Sequence, residues 1–154
     1  MVQDQGPDFQ RLGCGTNPVG SLSIQSGLPV IGTTIVFGVD NPYGTQPVGS
    51  PVVMLYSFAP DANYPCGRLL PGFGQAGGGA AGELLVDISS QNLIRMVVSG
   101  SYGGPGLPGL NSVNIPNNAN LIGATIFAQG FVLDTSGVSG IVRGLADGVE
   151  FTLR

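Results

Sequence analysis

The sequence lacks several of the side chains on which enzymes most often rely. It contains no histidine, no lysine and no tryptophan in 154 residues. Without histidine, Ser-His-Asp and Cys-His constellations cannot form, and without lysine there is neither a Schiff base nor a Ser-Lys dyad. Two cysteines cannot make a four-thiolate zinc site. We therefore expect a protein that is not an enzyme and uses no cofactor.

Carboxylates are the remaining groups with catalytic potential. A glycosidase needs two of them across a cleft, about 5 to 9.5 Å apart. The candidates by position are Glu83, Asp87, Asp134 and Glu150. Glu83 and Asp87 are four residues apart in a predicted strand, which separates them by about 13 Å. We expect these two carboxylates on a solvated face rather than in a catalytic pair.

Calcium is the one metal for which the sequence offers ligands. Asp61 and Asn63 flank Ala62 in a predicted loop, Asp40 and Asn41 follow a predicted strand, and Asp147 is an isolated candidate. A calcium ion takes about six or more oxygen ligands, and only a few can be assembled here. An Asx turn before Pro65 is the simpler interpretation of Asp61 and Asn63, so we predict no metal site.

Aromatic residues beside turns are the candidates for carbohydrate binding. Tyr43, Tyr64, Phe73 and Tyr102 all have Gly, Pro or Asn neighbours, which predicts exposed positions where a sugar ring could stack. Packing over the adjacent prolines is the alternative for Tyr43 and Tyr64, and the absence of tryptophan weakens the lectin hypothesis.

The two cysteines, Cys14 and Cys66, have two possible uses. In an oxidising compartment one bridge is the simplest of them. It would close a loop of about 50 residues and stabilise the fold by about 4 kcal/mol. The alternative is two buried thiols. The missing lysine, the many Gly and Pro and the few charges favour an exported protein and therefore the bridge.

Short apolar runs between turn residues predict strands throughout the chain. Val52–Phe58 is continuously apolar, as in a strand buried on both faces, and Thr125–Asp134 is the longest candidate, with Gly130 predicted to form a bulge. Eight such strands suggest an all-β sandwich with Greek-key or jelly-roll connections, and a closed barrel is the alternative. The other predicted strands are Ser21–Ser26, Thr33–Val39, Glu83–Ile88, Ile94–Ser99, Asn111–Ile115 and Val149–Leu153.

The segments between these strands include one predicted helical turn and two glycine-rich loops. Pro116–Gly123 would be the only helix, capped by an Asn and ended by Gly123. Gly72–Gly82 and Gly100–Gly109 are predicted surface loops. Gly72–Gly82 lacks the Lys-Ser/Thr and the strand-to-helix context of a phosphate-binding loop, and the role of both loops is left open.

Charge excludes some partners and favours others. Only 9% of the residues are charged, and the net charge is −4 with five scattered arginines. Nucleic acid is excluded because no basic face can be assembled, and no apolar run approaches the roughly 20 residues that span a bilayer. So little charge, with a mean hydropathy of +0.31, favours burial of some surface against copies of the same chain.

The N-terminal segment sets the expected domain boundary. Residues 1–12 are predicted to be a tail, or a strand donated to a neighbouring subunit, with weak hydrophobicity favouring the tail. Residues 13–154 then form a single sandwich domain. The segment 1–10 has neither the basic start nor the apolar stretch of a signal peptide, so we expect a chain beginning near a mature N-terminus.

Several segments together resemble a known group of domains. They are Gly13–Gly15, Pro29–Thr34, Pro65–Pro71, Leu145–Leu153 and, most distinctively, Ile115–Asp134. Residues 12–154 resemble uncharacterised Gly/Pro-rich β-sandwich domains in secreted and surface proteins of planctomycete-like and myxobacterial-type bacteria. The resemblance implies export, a sandwich fold and a Cys14–Cys66 bridge, and it supplies no catalytic residues.

The sequence as a whole favours a structural role outside the cell. We predict a non-enzymatic extracellular or cell-surface module that assembles with itself into a surface layer, fibre or matrix. The alternative is a carbohydrate-binding or adhesion module, with glycans as partners, and a third is a spacer domain of a larger protein.

Overall fold

The computed structural model describes residues 8–154, and nearly all of its regular secondary structure is antiparallel strand. Ten strands and one turn of 3-10 helix are present in this range. The strands are β1 Gln10–Leu12, β2 Leu22–Ser26, β3 Thr34–Val39, β4 Pro51–Ser57, β5 Arg68–Pro71, β6 Ala81–Leu84, β7 Leu93–Ser101, β8 Gly109–Asn114, β9 Thr125–Leu133 and β10 Arg143–Thr152. No helix in residues 8–154 is long and apolar enough to cross a bilayer.

A five-stranded sheet in the order β1-β10-β9-β4-β7 forms the middle of the molecule. Alternate side chains of β4 enter two different cores: Met54 and Tyr56 belong to one, and Val53 and Leu55 to the other. A strand that is buried on both faces has a continuous apolar sequence. The prediction for Val52–Phe58 is confirmed except at Phe58, which follows β4 and is 49% exposed.

Each face of this sheet is covered by a separate layer. The three-stranded sheet β2-β3-β8 covers one face, where Phe37 and Val39 of β3 pack in the larger core. The β5-β6 hairpin and the chain after it cover the other face with Leu84, Leu85 and Val86. The predicted all-β sandwich is confirmed, with ten strands rather than eight because β1 and β5 are too short to show periodicity.

The N-terminal segment differs from the predicted tail. β1 pairs antiparallel with β10 of the same chain, with Gln10 opposite Glu150. Phe9 is buried, and the centroid of its ring lies 5.4 Å from the centroid of the Phe151 ring in an edge-to-face arrangement. Residues 8–12 thus belong to the sandwich, because one buried aromatic and three strand pairs outweigh their otherwise polar composition. The predicted tail over residues 1–7 lies outside the described residues.

The bulge predicted at Gly130 is instead in the neighbouring strand. Leu145 pairs with Phe131 and Gly148 with Gln129, so two residues of β10 lie opposite Gly130 alone. A side chain at Gly130 would not fit, because its Cβ would lie 2.8 Å from the Cγ2 atom of Val39. Gly130 therefore serves close packing of the two sheets.

Two further predictions concern the connections. The single helical turn is confirmed: it spans Ala119–Leu121, and the Asn118 side chain caps it by accepting from the Asn120 N–H at 3.0 Å. The strand predicted over Glu83–Ile88 is shorter than expected, since β6 ends at Leu84 and Val86 makes only an isolated bridge with Pro60.

Candidate functional site

The two cysteines form a disulfide, which confirms the predicted bridge. The Cα atoms of Cys14 and Cys66 are 4.9 Å apart, and 52 residues separate them in sequence. Beside the bridge, the Gly13 N–H donates to the Pro65 carbonyl at 3.0 Å. The bridge ties the segment after β1 to the loop before β5, and so joins the middle sheet to the hairpin layer.

Glu83 lies beneath the disulfide, although the sequence predicted a solvated face. Its carboxylate accepts from the Gly67 N–H at 2.7 Å and from the Cys14 N–H at 3.1 Å. Glu83 is buried because these two amides, remote in sequence, replace water. Cys14, Cys66 and Glu83 also lie within 4.8 Å of one another, but the two sulfurs are bonded to each other and offer no thiolate to a metal.

The weak calcium candidates, Asp61 and Asn63, form a turn. One Asp61 oxygen accepts from the Asn63 N–H at 3.1 Å, and the other is 3.9 Å from Arg68 Nε. This is the Asx turn that the sequence favoured. A guanidinium beside the carboxylate opposes cation binding there.

The other candidate carboxylates are each held by donors near them. Asp134 accepts from the Ser136 and Ser139 hydroxyls, both at 2.5 Å, and these hydrogen bonds lower its pKa to about 2. Asp87 accepts from Ser89 and Asn92, which lowers its pKa. Both groups organise their own loops, and neither has the raised pKa that a general acid needs.

The aromatic candidates divide into exposed and covered residues. Tyr43 is 57% exposed and Tyr64 is 47% exposed, whereas the expectation for Tyr102 is wrong because it is only 1% exposed. The Tyr102 hydroxyl donates to the Asn41 carbonyl at 2.8 Å, so the ring packs inward from its glycine-rich loop. Phe73 is half-buried against the second core.

Among the aromatic candidates, Tyr64 forms a side-chain hydrogen bond with one of the candidate carboxylates. Its hydroxyl donates to Glu150 at 2.6 Å, and its ring stands edge-on to Phe127 at 6.0 Å. The Glu150 carboxylate raises the pKa of the Tyr64 hydroxyl. These two contacts hold the ring at the surface, where 47% of the residue is exposed.

A buried ion pair in the β10 bulge was not predicted as a pair. Asp147 has a side chain only 3% exposed, and its Oδ2 is 2.6 Å from Arg11 Nε of β1. The guanidinium approaches off the N–H direction, so the contact is an ion pair rather than a linear hydrogen bond. Burial is the main cause that raises the pKa of Asp147 to about 7, and Arg11 partly opposes it.

Buried amide side chains form a second unpredicted feature. Gln46 donates to the carbonyls of Val132 and Ile141 at 2.9 and 3.1 Å, and Asn41 donates to Gln46 Oε1 at 2.9 Å. Gln75 donates to the carbonyls of Asp40 and Gly144. These hydrogen bonds hold the loops at one end of the sandwich in place. The buried amide side chains therefore have a structural role.

The border strand β7 carries the most regular exposed apolar surface. It is nine residues long and lies at the end of the five-stranded sheet. Met96 and Val98 share one face and are 58% and 57% exposed. The Asn111 side chain of β8 donates to the Val97 and Ser99 carbonyls at 2.9 and 3.2 Å, which occupies two acceptors on the edge of β7 that faces β8.

Comparison with models of known protein families, with curated proteins and with solved structures finds no match to this chain. The resemblance to uncharacterised bacterial surface domains therefore stays a prediction.

Proposed function

We propose that this protein is a non-enzymatic, extracellular structural module that associates with copies of itself into a surface layer, fibre or matrix. The observation that carries the proposal is the exposed pair Met96 and Val98 on a long border strand. Long border strands with apolar side chains are sites of association unless they are protected.

The protection on β7 suggests how the copies meet. Asn111 already occupies the carbonyls of Val97 and Ser99, so a second chain cannot add a strand along that half of the edge. Association instead uses the side chains of Met96 and Val98, which project from the face of the sheet. Arg95 is the only charge in β7, so two copies of the strand repel each other weakly.

The composition and the bridge agree with this role. A chain with 9% charged residues and a net charge of −4 has little long-range repulsion between copies. The Cys14–Cys66 disulfide suits an oxidising compartment, and the buried networks suit a rigid building block.

The test is the size of the protein in solution over a concentration series. Light scattering of the unmodified chain is expected to show a discrete oligomer or ordered polymers. The double variant Met96→Lys/Val98→Lys is expected to be monomeric. Val138→Lys is the matched control, because Val138 is 83% exposed in a loop far along the chain from β7. A monomeric unmodified chain, or a double variant as large as the control, contradicts the proposal.

Exposed aromatic rings favour one alternative, a carbohydrate-binding module. Tyr43 and the tethered Tyr64 each present a ring at the surface, and sugars stack on such rings. Binding on a glycan array that Tyr43→Ala or Tyr64→Ala abolishes would support it. Tyr102→Ala is unsuitable for this test because the ring is buried and its loss disturbs the fold.

A further inference from the structure

A small apolar pocket lies between the two main sheets at one end of the sandwich. Its volume is about 180 Å³, it is open on one side, and nearly all of its surface is apolar. The side chains that matter for its chemistry are those of Tyr56, Ile94, Arg95, Val113, Leu121 and Phe151. An apolar cavity of about 150 Å³ is enough to hold benzene, so this one can take a single aromatic ring.

A bulge in β7 helps to build the wall of the pocket. Tyr56 pairs with Arg95 and Ser57 with Leu93, so Ile94 is an extra residue in the strand. Bulges re-aim side chains and are frequent beside functional sites. Here Ile94 and Arg95, although adjacent in sequence, both line the pocket.

Tyr56, one of the residues that line the pocket, carries an unpaired polar group. Its hydroxyl is buried and has no hydrogen-bond partner within residues 8–154, and an unpaired buried hydroxyl is unfavourable. Burial raises the pKa of the Tyr56 hydroxyl, so the group is a proton donor at neutral pH. It lacks only an acceptor.

Arg95 adds a positive charge at the same place. It lies across the strand pair from Tyr56, and its charge acts directly on the Tyr56 hydroxyl. The ion pairs in the described part of the chain use Arg11, Arg68 and Arg154, and none uses Arg95. The residues that line this apolar pocket therefore include one neutral donor, Tyr56, and one cation without an ion-pair partner in residues 8–154, Arg95.

We propose that this pocket binds a small carboxylate with an apolar body, such as a monocyclic aromatic acid. The ring fills the space against Val113, Leu121 and Phe151, and the carboxylate accepts from the Tyr56 hydroxyl and faces the Arg95 guanidinium. Hydrogen bonds to a charged acceptor are stronger than those between neutral groups, which favours the acid over a neutral analogue. The site is independent of self-association.

The experiment titrates phenylacetate into the ¹⁵N-labelled full chain and follows backbone amide shifts by NMR. Phenylacetamide, the neutral analogue of similar shape, is titrated in parallel. Saturable shifts confined to residues around the pocket, with phenylacetate bound at least threefold more tightly than phenylacetamide, are expected. Equal affinity for the two compounds, or shifts that are scattered or do not saturate, would overturn the proposal.

Variants separate the two polar contacts. Tyr56→Phe removes only the hydroxyl and is expected to weaken phenylacetate binding about tenfold. Arg95→Gln is expected to weaken it about threefold and to remove its salt dependence. Arg143→Gln changes an exposed arginine that does not line the pocket and leaves binding unchanged. Arg95 is exposed, so Arg95→Gln tests the proposal at a residue outside the core.

Discussion

Asp147 is expected to give the folded protein an unusual dependence on pH. Its pKa is raised from the ordinary 3.8 to about 7, chiefly because the carboxyl group is buried in the β10 bulge. Between these two values the folded chain holds a proton that the unfolded chain has released. The free energy of unfolding therefore falls as pH rises through this window. The stabilisation is complete below pH 3.8 and is lost by the time the pH passes about 7.

The magnitude follows from the two pKa values. At about 1.36 kcal/mol per pH unit, the rise from 3.8 to about 7 corresponds to on the order of 4 kcal/mol. Arg11, 2.6 Å away, already opposes the shift, and the buried Glu83 carboxyl adds to it. The effect is large compared with the free energy of unfolding of a typical domain, which is roughly 5 to 15 kcal/mol.

Chemical denaturation at a series of pH values measures this effect. The unmodified protein is expected to lose stability between pH 4 and pH 8, whereas Asp147→Asn, which cannot titrate, is expected to show a flat profile over the same range. Asp87→Asn is the matched control: its carboxyl has a pKa lowered from 3.8, so it contributes a pH dependence only in more acidic solution, and this variant is expected to keep the slope between pH 4 and pH 8. A stability that rises from pH 4 to pH 8, or a slope retained by Asp147→Asn, would refute the reasoning.

Two further predictions concern the disulfide and the packing between the sheets. Cys14→Ser, or reduction of the bridge, is expected to lower the free energy of unfolding by about 4 kcal/mol because the bridge closes a long loop; an unchanged melting temperature after complete reduction contradicts this. Gly130→Ala is expected to destabilise by about 2 kcal/mol through overpacking against Val39 and Met54. Gly77→Ala, where a Cβ meets nothing within 4 Å, is the control, and equal melting temperatures for the two variants would refute the packing argument.

The larger strands were predictable from the sequence because burial imposes a pattern on them. Three of them, Thr34–Val39, Pro51–Ser57 and Thr125–Leu133, differ from their predicted bounds by at most one residue at either end. β1 was missed because its three residues include only one apolar side chain, Leu12. Its stability comes from pairing with β10 and from the burial of Phe9 and Leu12, which join parts of the chain remote in sequence.

The candidate sites were harder to predict, because side-chain type does not determine burial. Tyr102 lies in a loop rich in Gly and Pro, which suggested exposure, yet its hydroxyl finds the Asn41 carbonyl inside the fold. Glu83 is buried because the amides of Cys14 and Gly67 converge on it. The pocket at Tyr56 depends on an extra residue in β7, which a strand pattern does not show.

Gln129 shows why polar residues belong in the interior of this fold. It lies in the middle of β9 and is fully buried. Its amide accepts from the Leu85 N–H at 2.8 Å and donates to the carbonyls of Glu83 and Ala146 at 2.7 and 3.0 Å. Asn17 donates to the same two carbonyls.

These amides supply the hydrogen bonds that strand pairing cannot. The bulge in β10 interrupts its register with β9 around Ala146, and the chain after β6 packs over the sheet instead of joining it. Backbone groups in both places would be buried without partners, which is costly. Gln129 and Asn17 form hydrogen bonds with these backbone groups and thereby join the hairpin layer to the middle sheet. The bulge in β10 therefore requires the polar residues in the core.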